Sequence, residues 1–222
     1  MLNWFKCLVA PAAAMALLIM PATVRADSVT FHTVATFTSG GTGATLLNSQ
    51  QIQENGVGGG IITIAGDITR TETLTPPIPQ GTVFATLSAT AGNDTAFTGV
   101  GVKIDVFQDS TVPGGPTPPN GGTFVGSAIG MLTALPGSST FIITFQTPLS
   151  FTLPTGATTF PPGVIYTVDG PTQTIQFDVA GLGDVRGNVN EVPAVPLPGV
   201  ALAGYGLFGL IGGKRLLRSR NK

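Results

Sequence analysis

The sequence predicts an all-β domain, an antiparallel β-sandwich with a jelly-roll-like arrangement as the alternative, set between two apolar chain ends. Three observations predict it. Apolar residues recur at every second position through most of the segment between those ends, the period of a strand with one buried face. Gly and Pro, 31 and 18 of the 222 residues, cluster between the alternating segments, as turn punctuation does. Valine, isoleucine, phenylalanine and threonine are abundant. Disordered chains are poor in such residues, whereas a half-wet pleated surface is rich in them.

The N-terminal end reads as an export signal. Lys6 and the amino terminus form a positive start, Leu8 to Met20 is apolar apart from Pro11, and Val24-Arg25-Ala26 supplies small residues for signal peptidase. The apolar core is 13 residues, short of the roughly 20 that span hydrocarbon. Residues 1–26 are therefore expected to be a signal peptide, cleaved after Ala26.

Strands follow in order. Val29, Phe31, Ala35 and Phe37 fall on one face of Val29 to Thr38, with Thr30, His32, Thr36 and Thr38 on the other. Ile61 to Thr69 is the next candidate. Val83, Ala85 and Leu87 alternate with Phe84, Thr86 and Ser88, and Val100, Val102, Ile104 and Val106 with Gly101, Lys103, Asp105 and Phe107. Thr123 to Leu132, Phe141 to Phe145 and Phe151 to Leu153 continue the series. Val164 to Val168, Asp169-Gly170 and Thr172 to Val179 read as a hairpin, with Ile175, Phe177 and Val179 inward, since Asp-Gly tolerates the positive φ of a tight turn. Eight or nine strands are expected, with one short helical turn around Leu46 to Gln53 inside the Gly40–Gly60 gap. Thr111 to Gly122, with four prolines and four glycines in twelve residues, reads as an exposed loop. The domain is expected over 27–180, and the polar stretch 181–194 as a linker.

The C-terminal end has three parts. Val195-Pro196-Leu197-Pro198 precedes the apolar run Gly199 to Gly213, and Lys214, Arg215, Arg218, Arg220 and Lys222 close the chain. Fifteen residues make a helix of roughly 22 Å at about 1.5 Å per residue. Starting at Val195 and letting Arg215 and Arg218 snorkel extends it towards a hydrocarbon core of about 30 Å. A single transmembrane helix is expected, with the basic residues as a cytoplasmic stop and the body outside.

This tail resembles the PEP-CTERM family of sorting signals in its VPLPA-type variant, over residues 195–222. The resemblance rests on Val195, Pro196, Leu197 and Pro198 followed at once by the apolar run and the basic cluster. Gly199 stands where the variant has alanine, and Leu197 where the commoner form has glutamate. It implies export by a Gram-negative bacterium and processing by an exosortase, a membrane-embedded cysteine protease. It also implies retention in the inner membrane through the helix, and then a place at the cell surface or in the exopolysaccharide matrix.

Composition narrows the chemistry of the body. Residues 27–192 hold Arg70, Lys103 and Arg186 against all eleven acids, a net charge of −8. That leaves no basic cluster to replace counterions on a nucleic acid. The single cysteine, Cys7, and the single tryptophan, Trp4, lie in the signal peptide, so the domain has no disulfide or thiolate metal site. His32 is the only histidine and reads as a solvent-facing ring. Glu54, Glu72 and Asp105 are the acids that a two-carboxylate glycoside hydrolase could use. Asp94 beside Asn93, the pair Asp105 and Asp109, and Asp184 with Asn188 and Asn190 offer oxygen ligands for calcium. Asn93-Asp94-Thr95 is a formal sequon. No cofactor is expected, with calcium as the exception to test. The reading is a surface-sorted, non-enzymatic structural or adhesive domain. A carbohydrate- or calcium-binding module is the first alternative and a glycoside hydrolase the second.

Overall fold

The computed structural model describes residues 27–65, 67–74, 79–110, 121–154 and 163–192. The signal peptide, the tail from Val195 onwards and most of the Thr111–Gly122 loop lie outside these. The strands run β1 (Asp27–Ser39), β2 (Ala44–Asn48), β3 (Gln51–Glu54), β4 (Ile61–Ile64) and β5 (Ile68–Leu74). Then come β6 (Gln80–Ala89), β7 (Ala96–Ser110), β8 (Gly121–Met131) and β9 (Thr140–Phe145). Last are β10 (Ser150–Pro154), β11 (Gly163–Val168), β12 (Thr172–Gln176) and β13 (Leu182–Glu191). They form two antiparallel sheets, β12-β9-β8-β7-β1-β5 and β10-β11-β13-β6-β4-β3-β2, arranged as a sandwich. Both sheets contain meanders, β7-β8-β9 and β2-β3-β4.

Period-two patterning builds the interior. Val29, Phe31, Ala35 and Phe37 of β1 are buried, as are Val100 to Val106 at alternate positions of β7 and Phe141, Ile143 and Phe145 of β9. Phe31 meets Phe84 edge-on at 6.2 Å and Tyr166 at 5.3 Å, and Phe84 stacks on Phe124 at 5.6 Å. Each such pair adds about 0.5–1.5 kcal/mol beyond the area it buries. In β6 the alternation slips. A bulge opposite Val185 and Arg186 leaves Phe84 between the paired residues Val83 and Ala85. Thr82 and Phe84 face in before it, and Ala85 and Leu87 after it, because an extra residue flips the face of all that follows.

The described residues form thirteen strands where eight or nine were expected, and four further expectations need correction. The Ile61–Thr69 candidate divides into β4 and β5, which belong to opposite sheets. Leu46 to Gln53 is not helical. It is the β2–β3 hairpin, whose turn is set by Asn48: its Oδ1 accepts the Gln50 N–H at 2.8 Å and its Nδ2 donates to Gln51 Oε1. The Asp169-Gly170 turn makes no hairpin, because β10 and β13 occupy both edges of β11. Instead the chain crosses sheets there, with Asp169 N–H donating to Arg186 O and Phe145 N–H to Pro171 O. β12 ends at Gln176 and Val179 is exposed rather than inward.

The fourth correction concerns 181–194. Residues 182–191 are no linker but β13, inside the second sheet between β11 and β6, so the domain runs to Glu191. Two glycines and several Asp and Asn residues lower its strand propensity. Packing overrides that: Val185 and Val189 are buried and Gly187 lies beneath the Phe84 ring. A methyl group at Gly187 would run into Phe84 and the Thr167 carbonyl, whereas one at Gly81 meets open space. Gly187→Ala is therefore expected to destabilise the domain by about 1–3 kcal/mol through overpacking. Gly81→Ala is expected to be neutral or stabilising by up to about 1 kcal/mol. Chemical denaturation of the two variants measures the difference, and equal stabilities would refute the Phe84–Gly187 contact.

Candidate functional site

A polar groove of about 810 Å³ lies between β12 and the first half of β13. Its lining includes Gln173, Gln176, Asp169, Asp178, Asp184 and Arg186. β12 is the edge of its sheet, which opens the groove to solvent. Gln173 bridges the gap: its Nε2 donates to Arg186 O at 2.6 Å and its Oε1 accepts the Arg186 N–H at 3.0 Å. A side-chain amide thereby satisfies the backbone where the β13–β6 bulge breaks the ladder. Asp178 accepts the N–H groups of Ala180 and Leu182, both at 2.8 Å, and Asn188 Nδ2 donates to Asp169 at 2.9 Å. Asp184 lies 4.0 Å from the exposed Arg186 guanidinium. Gln176, Thr172, Thr174 and Arg186 are exposed and line the groove. Such a groove offers amides, hydroxyls and one cation to a polyhydroxylated ligand, and no aromatic platform.

Sequence reasoning did not find this groove. It depends on β13 being a strand, and the two sides are brought together only by the sheet crossing at Asp169-Gly170.

A second polar assembly gathers around Glu54, which is buried at the end of β3. Its carboxylate accepts the Asn93 N–H at 2.8 Å and the Leu132 N–H at 3.3 Å. Asn93 in turn donates through Nδ2 to Asn55 O and Val57 O, and accepts the Thr95 N–H. Asp94, at φ 64°, donates its N–H to Leu132 O. Three loops are thus tied to one carboxylate. The sequon asparagine is engaged in the same knot, and Asp94 is one of its backbone links.

Two further acids, Asp105 and Asp109, have partners of their own. Asp105 accepts the Thr123 hydroxyl at 2.6 Å and pairs with Lys103 at 2.7 Å. Asp109 lies 2.7 Å from Nδ1 of His32, whose ring stacks on Phe107 at 5.0 Å. This places His32 on the outer face of β1, half-buried rather than fully solvent-facing. Glu72 sits on the edge strand β5 opposite Val29. Glu54, Glu72 and Asp105 therefore stand on three strands in two sheets. Asn190 Oδ1 accepts the Glu191 N–H, while Asn188 and Asp184 serve the groove. Among the described residues, no group of three or more His, Cys, Asp or Glu side chains converges as metal ligands would. Ala26, Val195, Pro196, Leu197, Pro198, Lys214, Arg215, Arg218 and Arg220 lie outside the described residues, as does Gly199 to Gly213. No helix of the described residues is long and apolar enough to cross a membrane.

Comparison with protein-family models, with curated proteins and with solved structures found no match to this chain.

Burial gives one residue a clear titration signature. Tyr166 is fully buried on β11, with its hydroxyl donating to Gln108 Oε1 at 3.2 Å. Burial pushes the phenol well above its ordinary value, and the Asp109 charge adds to this. Below about pH 10 the phenol is neutral folded and unfolded, so it adds no pH dependence. Above that the unfolded chain ionises while the fold keeps its proton, so stability falls with rising pH, by up to about 1.4 kcal/mol per unit. Denaturation of the domain at stepped alkaline pH should show this slope, reduced in Tyr166→Phe. An unchanged slope would mean that the phenol reaches water in the folded state.

The carboxylate partners generate a second prediction. Because Glu54, Asp105, Asp109, Asp169 and Asp178 already hold backbone or side-chain donors, the melting temperature in millimolar calcium should equal that in millimolar magnesium. A ligand that binds only the native state raises it by mass action, so a calcium-specific increase would reveal a cation site.

Proposed function

We propose that the protein is an exported, surface-sorted domain that acts as a structural or adhesive component of the envelope or exopolysaccharide matrix, without catalysis. The observation that supports this best is where the last strand ends. On the C-terminal side β13 ends at Glu191, four residues before Val195. The last strand of the sandwich is therefore complete upstream of the expected cut in the sorting motif. A further support is that Glu54, Asp105, Asp109, Asp169 and Asp178 serve the fold's own hydrogen bonds.

In this reading signal peptidase removes residues 1–26. Gly199 to Gly213 then holds the chain in the inner membrane as a helix, with Lys214, Arg215, Arg218 and Arg220 as its stop. Burying a guanidinium at the centre of a bilayer costs about 2.5–3.5 kcal/mol on insertion scales, which keeps the helix from slipping through. Pro196 and Pro198 remove backbone donors and favour an extended segment, the form that an exosortase-type protease would take up at Val195 to Pro198. The β12–β13 groove favours one second reading, a carbohydrate-binding role, through the amide and hydroxyl groups of Gln176, Thr172 and Thr174.

The test is the mature form isolated from the native host. N-terminal sequencing should find Asp27 or a near neighbour first, and mass spectrometry should place the C-terminus within 195–198. Pro196→Ala combined with Pro198→Ala should leave the chain membrane-bound and uncut. A surface form that runs intact to Lys222, with the double variant behaving identically, would make the tail an ordinary anchor.

A further inference from the structure

The outer strands of the two sheets are β12 and β5 in one, β10 and β2 in the other. An outer strand leaves a row of backbone N–H and C=O groups unpaired, and folds blunt such edges with charges, proline or a bulge. β5 carries Arg70 and Glu72, β10 ends in Pro154, and β2 is bulged between Leu46 and Asn48. β12 has none of these devices. Thr172-Gln173-Thr174-Ile175-Gln176 is uncharged, free of proline and in unbroken register with β9.

The ladder shows which of its groups are open. Phe145 N–H donates to Pro171 O and Phe177 N–H to Ser139 O, so residues 171, 173, 175 and 177 bond towards β9. The residues between them turn the other way. Thr172, Thr174 and Gln176 therefore present N–H and C=O along the outer edge, and no strand of the described residues takes them up. The groove beside this edge takes in all five residues of β12. Its far wall, the start of β13, is stitched to the β12 segment at two points. Gln173 bonds the Arg186 backbone, and Asp178 N–H donates to Leu182 O at 2.9 Å. The edge is thereby held extended before anything binds, which lowers the ordering cost of docking.

We infer that this edge receives an extended segment of another protein, which joins the six-stranded sheet as a further strand beside β12 and carries a basic residue at either end. Charge selects this occupant. Asp169 precedes β12, Asp178 follows it and Asp184 lines the far wall, against the one exposed guanidinium of Arg186. Residues 27–192 carry −8 in all, so a cationic segment is drawn in and a second copy is repelled. Pairing two β12 edges about Thr174 would also set Asp178 of each copy beside the other's Asp169-Gly170 turn. A glycan would depend on the Thr172 and Thr174 hydroxyls, with no aromatic ring among the described lining residues to stack on. A strand needs only the backbone. Docking of this kind is independent of how the chain is sorted.

The experiment titrates the full-length chain in detergent into a fluorescent peptide of alternating Thr and Val with Lys at both ends, and reads polarisation. The peptide should bind about tenfold more tightly than its counterpart with Glu at both ends. Methylating its amide nitrogens keeps the charge, removes the donors and should weaken binding by about tenfold or more. Thr174→Pro should weaken it similarly, because that N–H lies outside the ladder with β9 and an edge strand tolerates proline there. Thr174→Val keeps the N–H, loses the hydroxyl and should bind as the unmodified chain does. Should Thr174→Pro fail to fold, the methylated peptide decides. No binding of the Lys-ended peptide, or equal binding of its methylated or Glu-ended forms, would overturn the inference. So would weakened binding in Thr174→Val with displacement by dextran, which gives the groove to a glycan. A dimer of the chain that Thr174→Pro dissolves would give the edge to a second copy and overturn it too.

Discussion

The Phe84 ring lies over Gly187, and the placement of the last strand depends on that contact. A side chain at 187 would displace the ring and the Thr167 carbonyl behind it, so β13 can lie between β11 and β6 only with glycine there. The bulge at Val83–Ala85 aims Phe84 inward at this point. From there the ring reaches Phe31 across the sandwich and Phe124 beside it, so one residue links β6, β13, β1 and β8. The Thr33 hydroxyl, buried on β1, donates to the Phe84 carbonyl at 2.6 Å and ties the two sheets at the same level. Without this layer β13 would have no partner for its small face, and the second sheet would end at β6.

How much was legible in the sequence follows from the same residues. Where one face of a strand packs and the other meets water, as in β1, β7 and β9, alternation alone identified the buried side chains. It failed where a tertiary partner replaces local pattern. Gly187 looks like a linker glycine until Phe84 is known to cover it. The Asp-Gly dipeptide looks like a hairpin turn until both edges of β11 are known to be taken. Val83, Ala85 and Leu87 look like one face until the bulge divides them. Of the candidate site residues, His32 was correctly put on the polar face of its strand, but its neighbour Asp109 is 77 positions away in sequence. Glu54 stood in the sequence only as a candidate catalytic carboxylate, because nothing local shows that the Asn93 and Leu132 amides converge on it.

The acids of this domain do structural work that lysines and arginines could not do. Only three cations are present in the body against eleven carboxylates, so most acids cannot form ion pairs and must find neutral donors. Backbone N–H groups, threonine hydroxyls and asparagine amides supply them, at Glu54, Asp178, Asp105 and Asp169. Hydrogen bonds to a charged acceptor are worth about 1.5–3 kcal/mol each, roughly twice the neutral kind. A domain without disulfides gains rigidity this way.

Topology assigns the two ends of the sandwich different characters. Asp27 lies opposite Leu74, Phe107 opposite Gly121, Gln80 opposite Val189, and Val164 opposite Glu191. The chain therefore enters and leaves at one end, which also sends out the connections that follow β5, β7 and β10. Those connections carry Pro76 and Pro77, Pro113 to Pro119, and Pro161 and Pro162, residues without the donor that another strand would need. The opposite end is the one Glu54 ties together. On the sorting proposal, a tail held in a bilayer would turn the end where β1 starts and β13 finishes towards the membrane. The Glu54 knot and Asp178, at the opposite end, would then lie farthest from the lipid.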